Sequence, residues 1–219
     1  KLTDGLEHAQ RLVALVAAIL GRPTPEIRMS RRVDGVDVGH LSQPILLGSP
    51  KLATLDRAEQ IFSATRSFIL LQPTYYLATL DRDSTRATAR LKQVLSTVHK
   101  WIEPDSHQPQ SMPDLLELLQ LQSAEEQSRY TAHLNGVKHL RDYGIPEWLD
   151  SVERMITRLG FAICDNLEVV IQILRRDPST LGSQSMNDRI LDLLKYAVSP
   201  EYYQLRARLA LTITAPEES

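Results

Sequence analysis

Glu26-Ile-Arg-Met-Ser30, Val36-Asp-Val-Gly-His40 and Pro44-Ile-Leu-Leu-Gly48 are the stretches that decide the fold class. The first two alternate apolar and polar residues, as half-buried strands do, and the third is a short apolar run that suits a buried strand. Asp34-Gly35 between the first two is a hairpin-type turn signal. A small sheet of two or three strands is therefore expected near 26–48.

Outward from this sheet the periodicity becomes helical. Before it, Leu6, Ala9, Leu12, Val13, Val16, Ile19 and Leu20 fall on one stripe, with Thr3 or Asp4 as a cap and Gly21-Arg22-Pro23 as the stop. After it, Leu55, Ala58, Ile61, Phe62, Thr65, Phe68 and Ile69 predict a helix that Pro73 closes. Ala87, Leu91, Val94, Leu95, Val98, Trp101 and Ile102 repeat the rhythm. Glu103 to Pro113 is polar with three prolines and reads as an internal loop. Further helices are expected from Leu115 to Leu121 and through Tyr130, Leu134, Val137 and Leu140. Pro146 opens a long helix through Trp148, Val152, Met155, Ile156, Leu159 and Ile163, which Leu167 to Leu174 continues or follows after a kink near Asp165-Asn166. Ser185, three residues before Asp188, and Ser199 before Pro200 start the last two helices. The expectation is a mainly α chain with a small β-sheet (α+β), one domain over 1–215, the loop at 103–113 internal to it, and a disordered tail at 216–219.

Composition excludes few functions. The 219 residues carry 25 Lys+Arg against 27 Asp+Glu, an ordinary globular balance without the basic excess of a dedicated nucleic-acid binder. That neutrality is a cancellation, since residues 1–100 hold 14 basic and 9 acidic side chains, and 101–219 hold 11 and 18. The longest apolar stretch, Leu12 to Leu20, is nine residues, about half of the roughly 20 that a membrane span needs. Cys164 is the single cysteine, which excludes an intrachain disulfide and a multi-cysteine zinc site and reads as a buried reduced thiol. The first residue is Lys1, which points to native N-terminal sequence having been removed; a cytoplasmic location is expected from the rest.

Chemistry is hard to find. The nine glycines are scattered, and no GxxxxGK[ST], GxGxxG or GxSxG occurs. Six histidines (His8, His40, His99, His107, His133 and His139) show no pair at the three- or four-residue spacing that puts two imidazoles on one helical face. Glu125-Glu126 and Arg175-Arg176-Asp177 read as solvated helix faces or ends. Arg82, Arg86 and Arg90, with Lys92 beside them, form a basic ridge opposite Leu91 and Val98 that suits an acidic protein partner better than nucleic acid.

The order of helix, small sheet, apolar strand, long helix, helical region and second long helix resembles the zincin-like core of gluzincin metallopeptidases. It resembles more closely the catalytically silent zincin-like domains at the C-terminal ends of large bacterial tetratricopeptide-containing proteins. The segments that carry the likeness are Pro44 to Leu52, Arg57 to Leu77, Trp148 to Cys164 and Ser199 to Tyr203, over roughly residues 5–210. In active relatives the first long helix bears HExxH, two histidines for zinc and a glutamate as general base. Here the resemblance puts Arg66, Ser67 and Leu70 at those positions, and no HExxH exists anywhere in the chain. The second helix keeps Glu153 where the family has a ligating Glu, but Thr157 stands where an Asp belongs.

What this implies is a degenerate zincin-like domain without metal, cofactor or catalytic residue, in which an Arg66–Glu153 salt bridge takes the place of zinc. The competing reading makes Glu153, Arg154 and Arg158 exposed neighbours on one helix. The functional expectation is a non-enzymatic protein–protein interaction or scaffold domain of a larger bacterial protein, bound to a protein partner or to other domains of its own polypeptide. Its expected surfaces are the cleft between the sheet and the Glu153 helix and the Arg82/Arg86/Arg90 ridge. The alternatives are a hydrolase that recruits His40, His133 or His139 to a non-standard site, and, more weakly, a nucleic-acid-associated helical domain.

Overall fold

Helix α1 spans Leu2–Ile19, so Thr3 and Asp4 fall inside its first turn and not ahead of it. Its C-terminus ends as the sequence predicts. Gly21 takes φ +61, its N–H bonds the Ala18 carbonyl (3.1 Å), and the Arg22 N–H reaches back to Ala17 (2.9 Å). The computed structural model describes residues 2–40, 44–79, 84–102, 123–124, 144–177 and 181–211. The expected loop at 103–113, the helices at 115–121 and 130–140, and the tail at 216–219 lie outside them.

The sheet has three strands, β1 (Ile27–Met29), β2 (Val36–His40) and β3 (Pro44–Gly48), in the order β1-β3-β2. The Asp34-Gly35 signal therefore does not join a hairpin. β1 and β2 do not pair with each other; both pair with β3, β1 in parallel and β2 antiparallel. The apolar run belongs in the middle because Leu46 is fully buried, opposite Ile27 on one side and Val38 on the other.

Helix α2 (Arg57–Leu70) opens with a capping box, in which Asp56 accepts from the Ala58 amide (2.7 Å) and Glu59 from the Asp56 amide (3.3 Å). Pro73 does more than close it, since it also starts the one-turn helix α3 (Pro73–Tyr76). Helix α4 spans Ser84–Ile102 and α5 spans Ile145–Cys164, with Pro146 in its first turn. Asp165 ends α5 in the left-handed conformation (φ 53), so α6 (Leu167–Arg176), capped by Asn166, is a separate helix and not a continuation. Ser185 and Ser199 cap α7 (Met186–Ala197) and α8 (Pro200–Arg208), as expected.

The chain is mainly helical with a small sheet, α+β. Two apolar clusters hold it together. One joins α1, the sheet, and the inward faces of α2 and α5 through Leu12, Val16, Leu46, Phe68, Leu149 and Ile156. The other joins α5 to α6, α7 and α8 through Phe161, Val170, Leu174, Leu193 and Tyr202, with Phe62 of α2 inserted. Helix α2 thus lies along α5 and feeds both clusters. Gly160 lets the two helices come this close, because a Cβ there would sit 2.8 Å from the Phe62 ring.

Candidate functional site

At the α2–α5 contact a carboxylate is buried among arginines. Glu153, on the inward stripe of α5 between Leu149 and Ile156, is 1% exposed. Arg66 of α2 meets it with both terminal nitrogens. Nη1 and Nη2 donate to Oε1 (3.0 Å each), and Nη2 also donates to Oε2 (3.2 Å). Arg189, one turn into α7 and 4% exposed, adds a third donor, Nη2 to Oε1 at 2.6 Å. Thr157, one turn after Glu153, accepts from Arg66 Nη1 (2.6 Å) and donates to Glu153 Oε1 (3.3 Å). The Leu181 amide donates to Oε2 (3.4 Å).

Burial alone would raise the pKa of Glu153. The Arg66 and Arg189 guanidiniums, the Arg66 hydrogen bonds and the Leu181 amide outweigh it and hold the carboxyl below its ordinary value. Arg66 also lies over the Phe62 ring (5.5 Å), one turn earlier on its own helix. The knot ties three helices together at one atom, Oε1.

Of the five positions that the resemblance singles out, three converge here: Arg66, Glu153 and Thr157. The other two turn toward the sheet side. Ser67 Oγ donates to the Val36 carbonyl (2.6 Å), and Leu70 enters the first apolar cluster. The exposed-neighbour reading fails: Glu153 is buried, and the half-buried arginines beside it pair across to another helix. Arg158 donates to both oxygens of Asp192 on α7 (2.6 and 2.9 Å), and Arg154 approaches the same carboxylate at 3.4 Å. The expected open cleft at Glu153 is closed by α2 and α7, so a partner cannot reach this carboxylate.

These residues do not fit zinc. A carboxylate has about four acceptor directions, and those of Glu153 are taken by two guanidiniums, a hydroxyl and an amide. Among the described residues no group of three or more His, Cys, Asp or Glu side chains converges anywhere, and Asp177, a second carboxylate near the knot, acts on Arg189. His8 bonds Gln60 of α2 (Nε2 to Oε1, 2.9 Å). His40 ends β2 and His99 lies in α4, while His107, His133 and His139 fall outside the described residues. Arg86, Arg90 and Lys92 are exposed on α4 beside buried Leu91; Arg82 falls outside the described residues.

Sequence reasoning missed Arg189, although a signal was there. With Leu193 and Tyr196 it occupies the buried i, i+4, i+7 face of α7, a position where an arginine requires a partner. It also missed the cluster at the end of α5. There the Tyr202 hydroxyl donates to Asp165, Arg206 pairs with Asp165 (2.9 Å), and Arg206 also donates to the carbonyls of Ala162 (2.8 Å) and Leu211 (2.7 Å). Burial, then the bond to Asp165, pushes the Tyr202 phenol above its usual value. Burial likewise pushes the neighbouring Cys164 thiol up to about 11, which leaves it protonated and unreactive at neutral pH.

Comparison with protein-family models, with curated proteins and with solved structures finds no match to this chain. No helix among the described residues is long and apolar enough to cross a membrane.

Proposed function

We propose that this chain is a non-enzymatic interaction or scaffold domain of a larger bacterial protein, a zincin-like arrangement whose centre is filled by an ion-pair knot. The observation that carries the reading is the saturation of Glu153. A general base needs a free lone pair and a path to water, and a metal ligand needs an unshared oxygen; this carboxylate has neither. The same helix α2 also closes one end of β2, because Val36 has its N–H and its carbonyl engaged by Ser63 and Ser67 and cannot offer them to an extended substrate.

The exposed basic face of α4 at Arg86 and Arg90 is the surface for an acidic protein partner. A protonated free Cys164 suits a cytoplasmic setting. Metal analysis and a peptidase assay on an unstructured protein substrate test the central claim. The purified chain is expected to hold no stoichiometric zinc and to cleave nothing. Stoichiometric zinc, or chelator-sensitive hydrolysis, overturns it. Crosslinking in a native lysate tests the surface: loss of the crosslinked partner in the Arg86→Glu/Arg90→Glu variant is expected, and unchanged capture removes the ridge from the proposal.

A further inference from the structure

The two edges of the sheet are finished differently. On β2 three of the outward backbone groups are taken up locally. The Val36 N–H donates to Ser63 Oγ (2.8 Å), the Val36 carbonyl accepts from Ser63 (3.1 Å) and Ser67 (2.6 Å), and the Val38 N–H donates to its neighbour Asp37 (2.8 Å). Side chains that absorb edge groups in this way prevent another strand from adding.

The β1 edge has no such finish among the described residues. The Leu46 N–H donates to Glu26 (3.0 Å), and the Ser30 N–H to Gly48 (2.8 Å). In a parallel ladder alternate residues bond the same neighbour, so β3 uses Glu26, Arg28 and Ser30. The N–H and carbonyl of Ile27 and Met29 point the other way. Beside them runs a groove of about 400 Å³, walled by Gln10, Arg11 and Ala14 of α1 and by Thr24, Pro25 and Ile27. Its walls are apolar apart from a few polar groups, and its charged residues are one arginine and one carboxylate. Glu26, the one carboxylate lining it, is engaged by Arg28 at 2.6 Å, whereas Arg11 at the groove and the exposed Arg22 form no ion pair among the described residues.

We infer that the β1 edge and this groove receive an extended segment of a partner protein, which adds as a fourth strand and sets an acidic side chain against Arg11. Backbone pairing to Ile27 and Met29 gives the adhesion, and the groove with Arg11 gives the selectivity. The inference rests on the interaction-domain reading and names a surface and a partner chemistry for it.

The experiment is amide-resolved hydrogen exchange on the whole chain, titrated with short synthetic peptides of alternating Val and Thr around one central Glu. The Glu peptide is expected to bind saturably and to slow exchange at Ile27 and Met29 by about tenfold or more, with Val36 and Val38 unaffected. The same peptide with Lys for Glu is expected to bind about tenfold more weakly. Arg11 is exposed, so Arg11→Glu leaves the fold intact and is expected to reverse that preference; an unchanged preference overturns the charge assignment. N-methylation of alternate peptide nitrogens is expected to abolish binding. No binding at about 1 mM peptide, or protection elsewhere with Ile27 and Met29 silent, overturns the site. That result leaves the interaction-domain reading in place if a protein partner still crosslinks to another face. Stoichiometric zinc or hydrolysis removes the broader reading without touching the peptide titration.

Discussion

Helices α1 and α2 flank the same small sheet and are fastened by opposite means. α1 presents Ala9, Leu12, Val13, Val16 and Ala17, all 1% exposed or less, to an apolar bed that includes Ile27 and Leu46. Among the described residues its side-chain link to α2 is the His8–Gln60 bond. α2 also buries Phe62 and Phe68, but its place is marked by directed contacts: Ser63 and Ser67 to Val36, Arg66 to Glu153, and Arg176 of α6 to Glu59 (2.6 Å). Apolar adhesion is non-directional, so the seat of α1 fixes which face is buried. Hydrogen bonds demand angles, so the contacts of α2 fix its rotation and its register on α5.

The largest expected effect tests the charged side. Glu153→Ala leaves two guanidiniums facing each other without their carboxylate and is expected to cost about 3–5 kcal/mol in urea unfolding at neutral pH. A loss under about 1 kcal/mol would mean that the knot is incidental. Replacing all three partners together, Arg66→Met/Glu153→Leu/Arg189→Met, is expected to come out near neutral. If the comparison holds, that variant keeps stability while its α2–α5 amide and methyl signals broaden.

Acid sharpens the contrast further. The folded carboxyl of Glu153 lies below its ordinary value of 4.5, so its contribution is complete above that pH and drains away as pH falls through the folded value. Stability measured from pH 7 downward is expected to fall less steeply in Glu153→Gln than in the parent chain across the acid limb. Leu12→Ala, on the dry side, is expected to cost about 3 kcal/mol, with an acid limb parallel to that of the parent.

Two smaller changes probe how closely α2 is held. Gly160→Ala forces the new methyl group against the Phe62 ring and is expected to cost about 2 kcal/mol, partly relieved by Phe62→Leu. Ser67→Ala removes one of two hydroxyl donors to the Val36 carbonyl. The expected loss is about 1 kcal/mol, with faster exchange at the Val36 amide. An equal loss in Ser67→Ala and Leu12→Ala would erase the distinction between the two helices.

The sequence made the helices readable where local chemistry is decisive. The stripe of α1, its Gly21 stop, the Pro146 start and the Ser185 and Ser199 caps are each set by a few neighbouring residues. The strand order was not legible. Asp34-Gly35 has the chemistry of a hairpin, but β3 burial on both sides outweighed that local turn signal and drew β1 and β2 apart. The Arg66–Glu153 pair came from the family likeness and not from spacing, because 87 residues separate the two side chains. Arg189 carried a readable hint in its apolar surroundings, whereas the left-handed turn at Asp165 depends on Tyr202 and Arg206, which arrive from α8.

The three-way knot also shapes how this chain can drift. Losing the carboxylate takes from two cations the partner they share, and losing the buried Arg189 takes away the closest of its donors, so each first step lowers stability. The near-neutral apolar solution lies several substitutions away, beyond a valley that single changes do not cross. A histidine at position 66 would not by itself make a metal site, since Arg189 and Thr157 would still engage Oε1 of Glu153. Arg66, Arg189 and Thr157 would all have to change before Glu153 could take a ligand of another kind.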